Sequence, residues 1–418
     1  MTENNKLILS MDIGTSKVCC VVAKNDQKSI DILRVTTLKH NNLLDNDNVN
    51  NNKMQEIVYQ CFKTVTKDLD LKKLFFAISL SGNHILSKNI ILNVPKNNPE
   101  KSLITKEDIN RVIKIAKKIE VEEDQKIIHV IPRTYTLDGI EGIRNPLGMH
   151  TFDLKAFCHV ILGSISEISR LNKFTGLISI IPDKYLVGSV VSAKSLLTGS
   201  ERESGAILID IGAGITDIAI FHKSSIIHTE SIPIGGNIFT NDISVAFDIN
   251  FDDAENLKLM HGSVTPERVE NTKTIKIFPQ AYDDELEITK RELAQLLKDR
   301  ASELIRMIGY RLDNENISHL DINQIVLTGG TSKMDGMLQL TRFLLQKRVR
   351  NIDENFEKNL EGEKLDPSTS CGISLSKLAL TESIINPEIH TDKNKFINKK
   401  FYLKKIISLK NYLFEKTK

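Results

Sequence analysis

Residues 206–221 read AILIDIGAGITDIAIF: an apolar run, a turn built on Asp210, Gly212 and Gly214, and a second apolar run. Short apolar runs bounded by glycine are the pattern of buried strands joined by a tight turn. Residues 7–23, LILSMDIGTSKVCCVVA, repeat that order around Asp12 and Gly14. Asp12 and Asp210 stand 198 residues apart, the spacing of two domains. The chain therefore reads as an α/β protein of two lobes, each opening on the same strand–turn–strand unit.

The turns have the chemistry of phosphate binding. Gly14 lets the backbone turn tightly and approach an anion, Thr15 and Ser16 supply hydroxyl and amide donors, and Lys17 supplies a cation. In the second copy Gly212, Ala213 and Gly214 take the steric part, with Thr216 as hydroxyl donor. Asp12 and Asp210 are read as facing one Mg²⁺ through water, because that ion gives up its hydration shell reluctantly. A third glycine element, LTGGTSKMDGM at 327–337, would pass Gly329 and Gly330 against an adenosine, with Met334 at the base. A fourth, Gly235, Gly236 and Asn237 of PIGGN, reads as another turn able to reach the phosphates. On the helix that follows, Glu255 and Lys258 are three apart and share a face, suited to ribose hydroxyls and the adenine edge. One Asp-Gly turn alone is equally a plain hairpin. Two at lobe spacing with two further glycine turns point to ATP with Mg²⁺ held between the lobes.

Around these motifs the chain alternates strands and helices. Val18–Ala23 and Ile30–Thr36 continue a meander, a polar Asn/Asp-rich loop fills about 40–52, and Ile57, Cys61 and Val65 mark a helix. Residues 83–160 hold extended stretches and a lysine-rich helix around Asp108–Ile119, and read as an inserted small domain. A helix near Ser166–Leu177 returns to the first lobe, and 242–318 read as mostly helical. The expected division is a first lobe of 1–82 plus 161–195, the insertion at 83–160, and a second lobe of 196–230 plus 319–385. A helical subdomain takes 231–318, a linker 386–394 and a basic tail 395–418.

Composition is that of an ordinary globular protein, 40% hydrophobic and 26% charged. The polar residues before Leu7 and the short run after them offer no signal-peptide core, so a cytosolic protein is expected. The five cysteines show no metal-ligand spacing and read as reduced structural residues. The tail holds eight lysines against Glu415, a charge of +7, which leaves −5 for the rest of a chain whose overall charge is +2. An acidic body argues against nucleic acid as a partner.

The order of these elements resembles the actin, heat-shock chaperone and sugar kinase superfamily, with its ribonuclease H-like duplicated fold. Within it, ERESGAILIDIGAGITDIAI (201–220), HTESIPIGGNIFTNDI (228–243) and DAENLKLMHG (253–262) resemble FtsA, the bacterial division family. So does HVIPRTYTLDGIEGIRNPLGM (129–149), which actin, chaperones and sugar kinases lack. The insertion at 83–160 falls where that family carries its relocated subdomain. Ala213 departs from the glycine many relatives have there. The resemblance implies a protein that binds ATP, polymerises, holds FtsZ filaments to the inner face of the cell membrane, and recruits later division proteins through the inserted subdomain. It also implies that the helical subdomain takes the C-terminal peptide of FtsZ, with Arg300 and Glu303 matching the family's Arg-x-x-Glu.

FtsA-like proteins end in an amphipathic membrane helix. On a helical wheel Phe396, Tyr402, Leu403, Ile406, Ile407, Leu409, Leu413 and Phe414 share about half the circumference. Most lysines lie opposite, with Lys410 inside the apolar arc. Such a helix lies in an anionic membrane surface and does not span it. The alternatives are a pilus-assembly actin homologue and a small-molecule kinase of the same superfamily. A kinase needs a catalytic aspartate across the cleft, and the sequence nominates none. ATP is therefore read as a structural switch, with at most weak hydrolysis and no metabolic substrate.

Overall fold

The computed structural model describes residues 6–25, 30–40, 48–71, 74–95, 102–178, 180–270, 272–280, 285–314, 320, 322–352 and 366–379. The linker and tail, with every residue read above as membrane-facing, lie outside the described residues. The first lobe opens with β1 (Lys6–Ile13), β2 (Lys17–Asn25), β3 (Ile30–Lys39), α1 (Asn48–Val65) and β4 (Leu74–Leu80). Then come β5 (Leu86–Asn93), β6 (Ser102–Leu103), α2 (Lys106–Ala116), β7 (Gln125–Leu137), β8 (Ile140–Ile143), β9 (His150–Thr151) and β10 (Leu154–Ser164). Next are α3 (Ile165–Phe174), β11 (Lys184–Val187), α4 (Gly188–Leu196) and α5 (Gly199–Ser204). The second lobe runs through β12 (Ala206–Ile211), β13 (Thr216–His222), β14 (Ser225–Ile232), α6 (Gly236–Phe247) and α7 (Phe251–His261). It continues with β15 (Thr274–Ile277), β16 (Leu286–Thr289), α8 (Lys290–Asn314), β17 (Gln324–Thr328), α9 (Met337–Leu345), β18 (Arg348–Asn351) and α10 (Ser370–Leu378).

The duplication extends to the sheets. One has the order β3-β2-β1-β4-β11 and the other β14-β13-β12-β17-β18. In each, the first three strands form an antiparallel meander and the last two add in parallel. Strand β12 is apolar at nearly every position because both faces are covered. Ala206 and Leu208 join the core shared with the first lobe, while Ile207, Ile209 and Ile211 join the core under the helices of the second. Between the sheets lie α4 and α10, which touch one another, α4 on β12 and β13 and α10 on β1 and β2. Their small residues allow this. Gly188, Ser189 and Ser192 of α4 and Gly372, Ser374 and Ser376 of α10 are buried, and Ser10 Oγ donates to Gly372 O at 2.7 Å.

Two local features differ from the sequence reading. The helix α1 starts at Asn48, inside the stretch read as loop. Its buried Met54, Val58, Cys61 and Val65 pack as one stripe on the first-lobe core, so tertiary burial outweighs the low helix propensity of its leading asparagines. Within the stretch read as helical, β15 and β16 pair as a hairpin from Thr274↔Thr289 to Ile277↔Leu286. The β-branched alternation TIKI and LEIT carries period two locally.

The inserted stretch forms its own four-stranded sheet, β5-β10-β7-β8, with α2 on its core. It leaves the first lobe after β4 and re-enters through α3, yet its polar contacts reach the second. Ser87 Oγ donates to Thr229 O at 2.8 Å, and Asn89 Nδ2 to Ile227 O at 3.0 Å. The fully buried His159 lies 3.0 Å from Asn89 Oδ1 through Nδ1 and 3.1 Å from Thr229 Oγ1 through Nε2. Burial first, then His228, Arg133 and His129, push this imidazole down to about 3, so it is neutral. A neutral ring has one N–H, so Nδ1 donates to Asn89 and Nε2 accepts from Thr229. Thr229→Val keeps the shape and removes that donor, leaving a buried nitrogen unpaired. Urea unfolding should show a loss of about 1–3 kcal/mol, and Thr229→Ser should recover most of it.

Candidate nucleotide site between the lobes

Each opening turn is closed by the same bond. Gly14 N–H donates to Lys17 O at 2.9 Å, and Gly212 N–H donates to Ile215 O at 2.9 Å. Each aspartate sits at the end of its strand, with Asp12 opposite Cys19 and Asp210 opposite Asp217. The two turns meet: a Cβ built on Gly214 would lie 2.5 Å from Thr15 Oγ1. Glycine at 214 is thus what lets the lobes close on one another at this point.

The carboxyls crowd together. Ser79 Oγ donates to Asp12 Oδ1, and Ser231 Oγ donates to Asp217. Burial first, then Asp217 and Asp12, push the Asp210 carboxyl up to about 7 against the pull of Lys17. Burial also raises Asp217, to about 6, against hydrogen bonds from Ser231 and Ser81 and with Asp12 adding to the rise. Cys371, at the start of α10, is raised by burial and then by all three carboxyls. Carboxyls this near one another repel, and a cation held through water would relieve that repulsion, although among the described residues no group of three or more His, Cys, Asp or Glu comes together as a direct metal site. Gly329 has φ +88°, and a Cβ there would come within 2.4 Å of Asp210 Oδ1 and of Ile211 O. The third glycine turn therefore lies flat on the second.

The remaining predicted residues gather around that turn, some with altered parts. Thr331 Oγ1 donates to Gly212 O at 3.0 Å, and Met334 follows in the same short helical turn, partly buried on the second-lobe core. Lys258 Nζ donates to Gly236 O at 2.9 Å and to Thr240 Oγ1 at 2.7 Å, and pairs with Glu255 at 2.6 Å. Burial lowers its pKa in spite of Glu255. Gly236 and Asn237 donate their amides to Gly212 O at 2.8 Å and Ala213 O at 2.7 Å, so this segment buttresses the second turn. Thr216 is fully buried, and its hydroxyl donates to Ile234 O at 2.7 Å, so it holds that buttress in place.

Lys17 reaches from the first turn to the start of α10, donating to Ser368 O and Oγ, both at 2.6 Å. Asp366 accepts from Ser368 N–H at 2.7 Å and pairs with Lys333 at 2.9 Å. Burial would raise the Asp366 carboxyl, but Lys333 and Ser368 outweigh it and hold it at about 2. Asp217, Ser368 and Asp366 were not among the residues picked from the sequence. Asp217 was findable: in a hairpin whose turn is centred between Ala213 and Gly214, it falls directly opposite Asp210. Asp366 and Ser368 carry no motif. Arg300, on α8, is held by Asp242 of α6 at 2.5 and 2.9 Å and by Glu303 at 2.6 Å. A partner carboxylate would have to compete with both.

Two sheets of identical topology, with glycine turns meeting over paired aspartates, define a protein of the actin-like ATPase fold. Solved structures agree on the fold. A chain of the "PilM-PilN type IV pilus biogenesis complex" superposes with a TM-score of 0.63 over 88% of this chain and 97% of its own, at 13% identity. MreB5 of Spiroplasma citri bound to ADP gives 0.50 over 89% and 95%, at 14% identity. The sequence narrows this further. The model of "Cell division protein FtsA" matches residues 207–374, and that of the "SHS2 domain inserted in FTSA" matches 82–162. The FtsA of Borreliella burgdorferi is 30% identical over 384 residues, covering 89% of this chain and 90% of the relative. That of Pseudomonas aeruginosa is 29% identical over 374 residues, covering 89% of each. The chain belongs to the FtsA family of cell division proteins.

Asp210 provides a test by pH. Its folded value of about 7 lies above the ordinary 3.8, so between these the folded state holds a proton that the unfolded chain has released, and stability falls as pH rises through that window. Asp210→Asn is therefore expected to melt about 2–4 °C higher than the parent at pH 7.5 without nucleotide, with the gain vanishing near pH 4. Its affinity for Mg·ATP should fall at least tenfold by isothermal titration.

Proposed function

We infer that this chain binds ATP with Mg²⁺ between its lobes, assembles into filaments, and holds FtsZ filaments to the inner face of the cell membrane. The observation that carries the reading is one chain joining the actin-like lobes to the SHS2 insertion, in a match that spans 90% of an FtsA relative. The turns at Gly14 and Gly212–Gly214, with Lys17, would hold the phosphates, and Asp12 and Asp210 the hydrated Mg²⁺. Bound there, the nucleotide supplies negative charge and a dication to a junction that otherwise holds crowded carboxyls. Thr15, Gly214 and Lys17 would position it, and Gly329 and Gly330 would border the adenosine beside Met334, Glu255 and Lys258.

In this reading the division into 1–82 plus 161–195, 83–160, 196–230 plus 319–385 and 231–318 follows the lobes, the insertion and the helical subdomain. The insertion receives later division proteins. The helical subdomain takes the acidic C-terminal peptide of FtsZ at Arg300 and Glu303, where Asp242 keeps the guanidinium oriented until a partner carboxylate replaces it. The tail at 395–418 lies in the membrane surface. Among the described residues no helix is long and apolar enough to cross a membrane, which suits attachment by the tail.

Two measurements test the tether. Deleting 395–418 should abolish sedimentation with anionic liposomes and leave ATP binding intact; unchanged sedimentation would remove the tail from the mechanism. Arg300→Glu should cut capture of the FtsZ C-terminal peptide at least tenfold in a pull-down. Equal capture would move that site elsewhere.

A further inference from the structure

The edge of the second sheet carries a basic groove that none of the roles above uses. Helix α9 ends at Leu345, and Gln346 takes the left-handed conformation with φ 51° as its cap. The chain reverses there into Lys347-Arg348-Val349-Arg350, the outermost strand β18. Strand alternation buries Val349 in the core and leaves Arg348 and Arg350 on the other face. Together with Arg342 from the last turn of α9, these side chains line a cavity of about 800 Å³.

What the cations touch decides their net charge. Arg342 Nη2 donates to Val349 O at 3.0 Å and Lys347 Nζ to Ile322 O at 2.7 Å, both neutral acceptors. Arg350 alone meets a carboxylate, Glu201, through Nε at 2.7 Å and Nη2 at 2.8 Å. Among the described residues, then, Arg342, Lys347 and Arg348 keep three positive charges in one groove of an otherwise acidic body. A second cavity of about 340 Å³ shares Arg350 and reaches Lys377 in the last turn of α10. The described chain stops two residues later at Ala379, and 39 residues follow, including the lysine-rich stretch 395–418. The last described residues of the chain thus lie next to this basic groove.

We propose that this groove is a second membrane contact, in which Arg342, Lys347 and Arg348 take the phosphates of anionic phospholipid headgroups while the tail is inserted. The proposal rests on the tether reading. It adds that the body itself lies against the membrane on its β18 edge. Cations near an anionic surface each strengthen attachment several-fold. A body contact joined to a tail contact acts at high effective concentration, and two contacts also fix the orientation of the body.

The test uses the full chain. Arg342→Gln/Lys347→Gln/Arg348→Gln should sediment about tenfold more weakly with vesicles of phosphatidylglycerol in phosphatidylcholine, with a shallower salt dependence and unaltered ATP binding. Equal sedimentation of variant and parent overturns the groove. The tail is tested separately by Ile406→Asp/Leu409→Asp, whose unchanged sedimentation would overturn the tether reading itself. Hydrogen exchange on the parent protein covers the case of a misfolded variant. Amides of 342–350 should be protected by phosphatidylglycerol vesicles and not by phosphatidylcholine alone. No protection overturns the proposal. So does protection by soluble glycerol phosphate or by an acidic peptide that matches or exceeds that of the vesicles, since the groove then serves a soluble anion or a protein.

Discussion

Three carboxyls, from Asp12, Asp210 and Asp217, are forced into one place by the way two equal sheets close on each other. Each sheet ends its first strand in an aspartate and a glycine turn, and α4 and α10 fill the space behind. When the apolar layers are packed, the strand ends have nowhere to point except toward one another. Core burial, at roughly 25 cal/mol per Å², thus holds a repulsive polar centre together. Burial first, and the neighbouring carboxyls after it, raise Asp210 and Asp217.

That constraint also orders the neighbouring polar groups. Lys17 does not stay with its own turn but crosses to Ser368 at the head of α10. Gly236 and Asn237 fasten the second turn to α6, and Lys258 fastens α6 to α7 through Gly236 O. The glycine turn of the second lobe is therefore hydrogen-bonded, through α6 and α7, to the helical subdomain that carries Arg300. The first turn answers instead to α10, whose last residues lead toward the tail. The ends of the molecule read as partner-binding and membrane-binding are each connected to a different wall of the cleft.

Much of this was legible in the sequence because the deciding residues are local. Asp12, Gly14, Asp210, Gly212 and Gly214 announce themselves as strand ends and tight turns within a few positions. The lobes follow from their spacing, and the insertion from a change of pattern. What stayed hidden depends on long-range packing. Nothing near Thr216 reveals that Ile234, eighteen positions on, takes its hydroxyl. Asp366 and Ser368 matter because α10 returns to β1, a contact spanning more than 350 residues in the case of Ser10 and Gly372. The hairpin of β15 and β16 was missed because four-residue strands barely establish a period. The helix start at Asn48 was missed because burial of Met54 and Val58 decides it, not the asparagines.

The placement of His159 has a mechanical side. The inserted sheet is covalently part of the first lobe, but its polar seam is with Thr229 and Ile227 of β14. Chain and seam together make a closed linkage: lobe, insertion, lobe, and back through α4. A closed linkage cannot open like a simple jaw. Any rotation between lobes has to shear a seam of buried and part-buried hydrogen bonds, which weaken steeply once their geometry is lost. The insertion therefore braces the first lobe against β14 of the second, beyond the contact that the lobes make through α4 and α10.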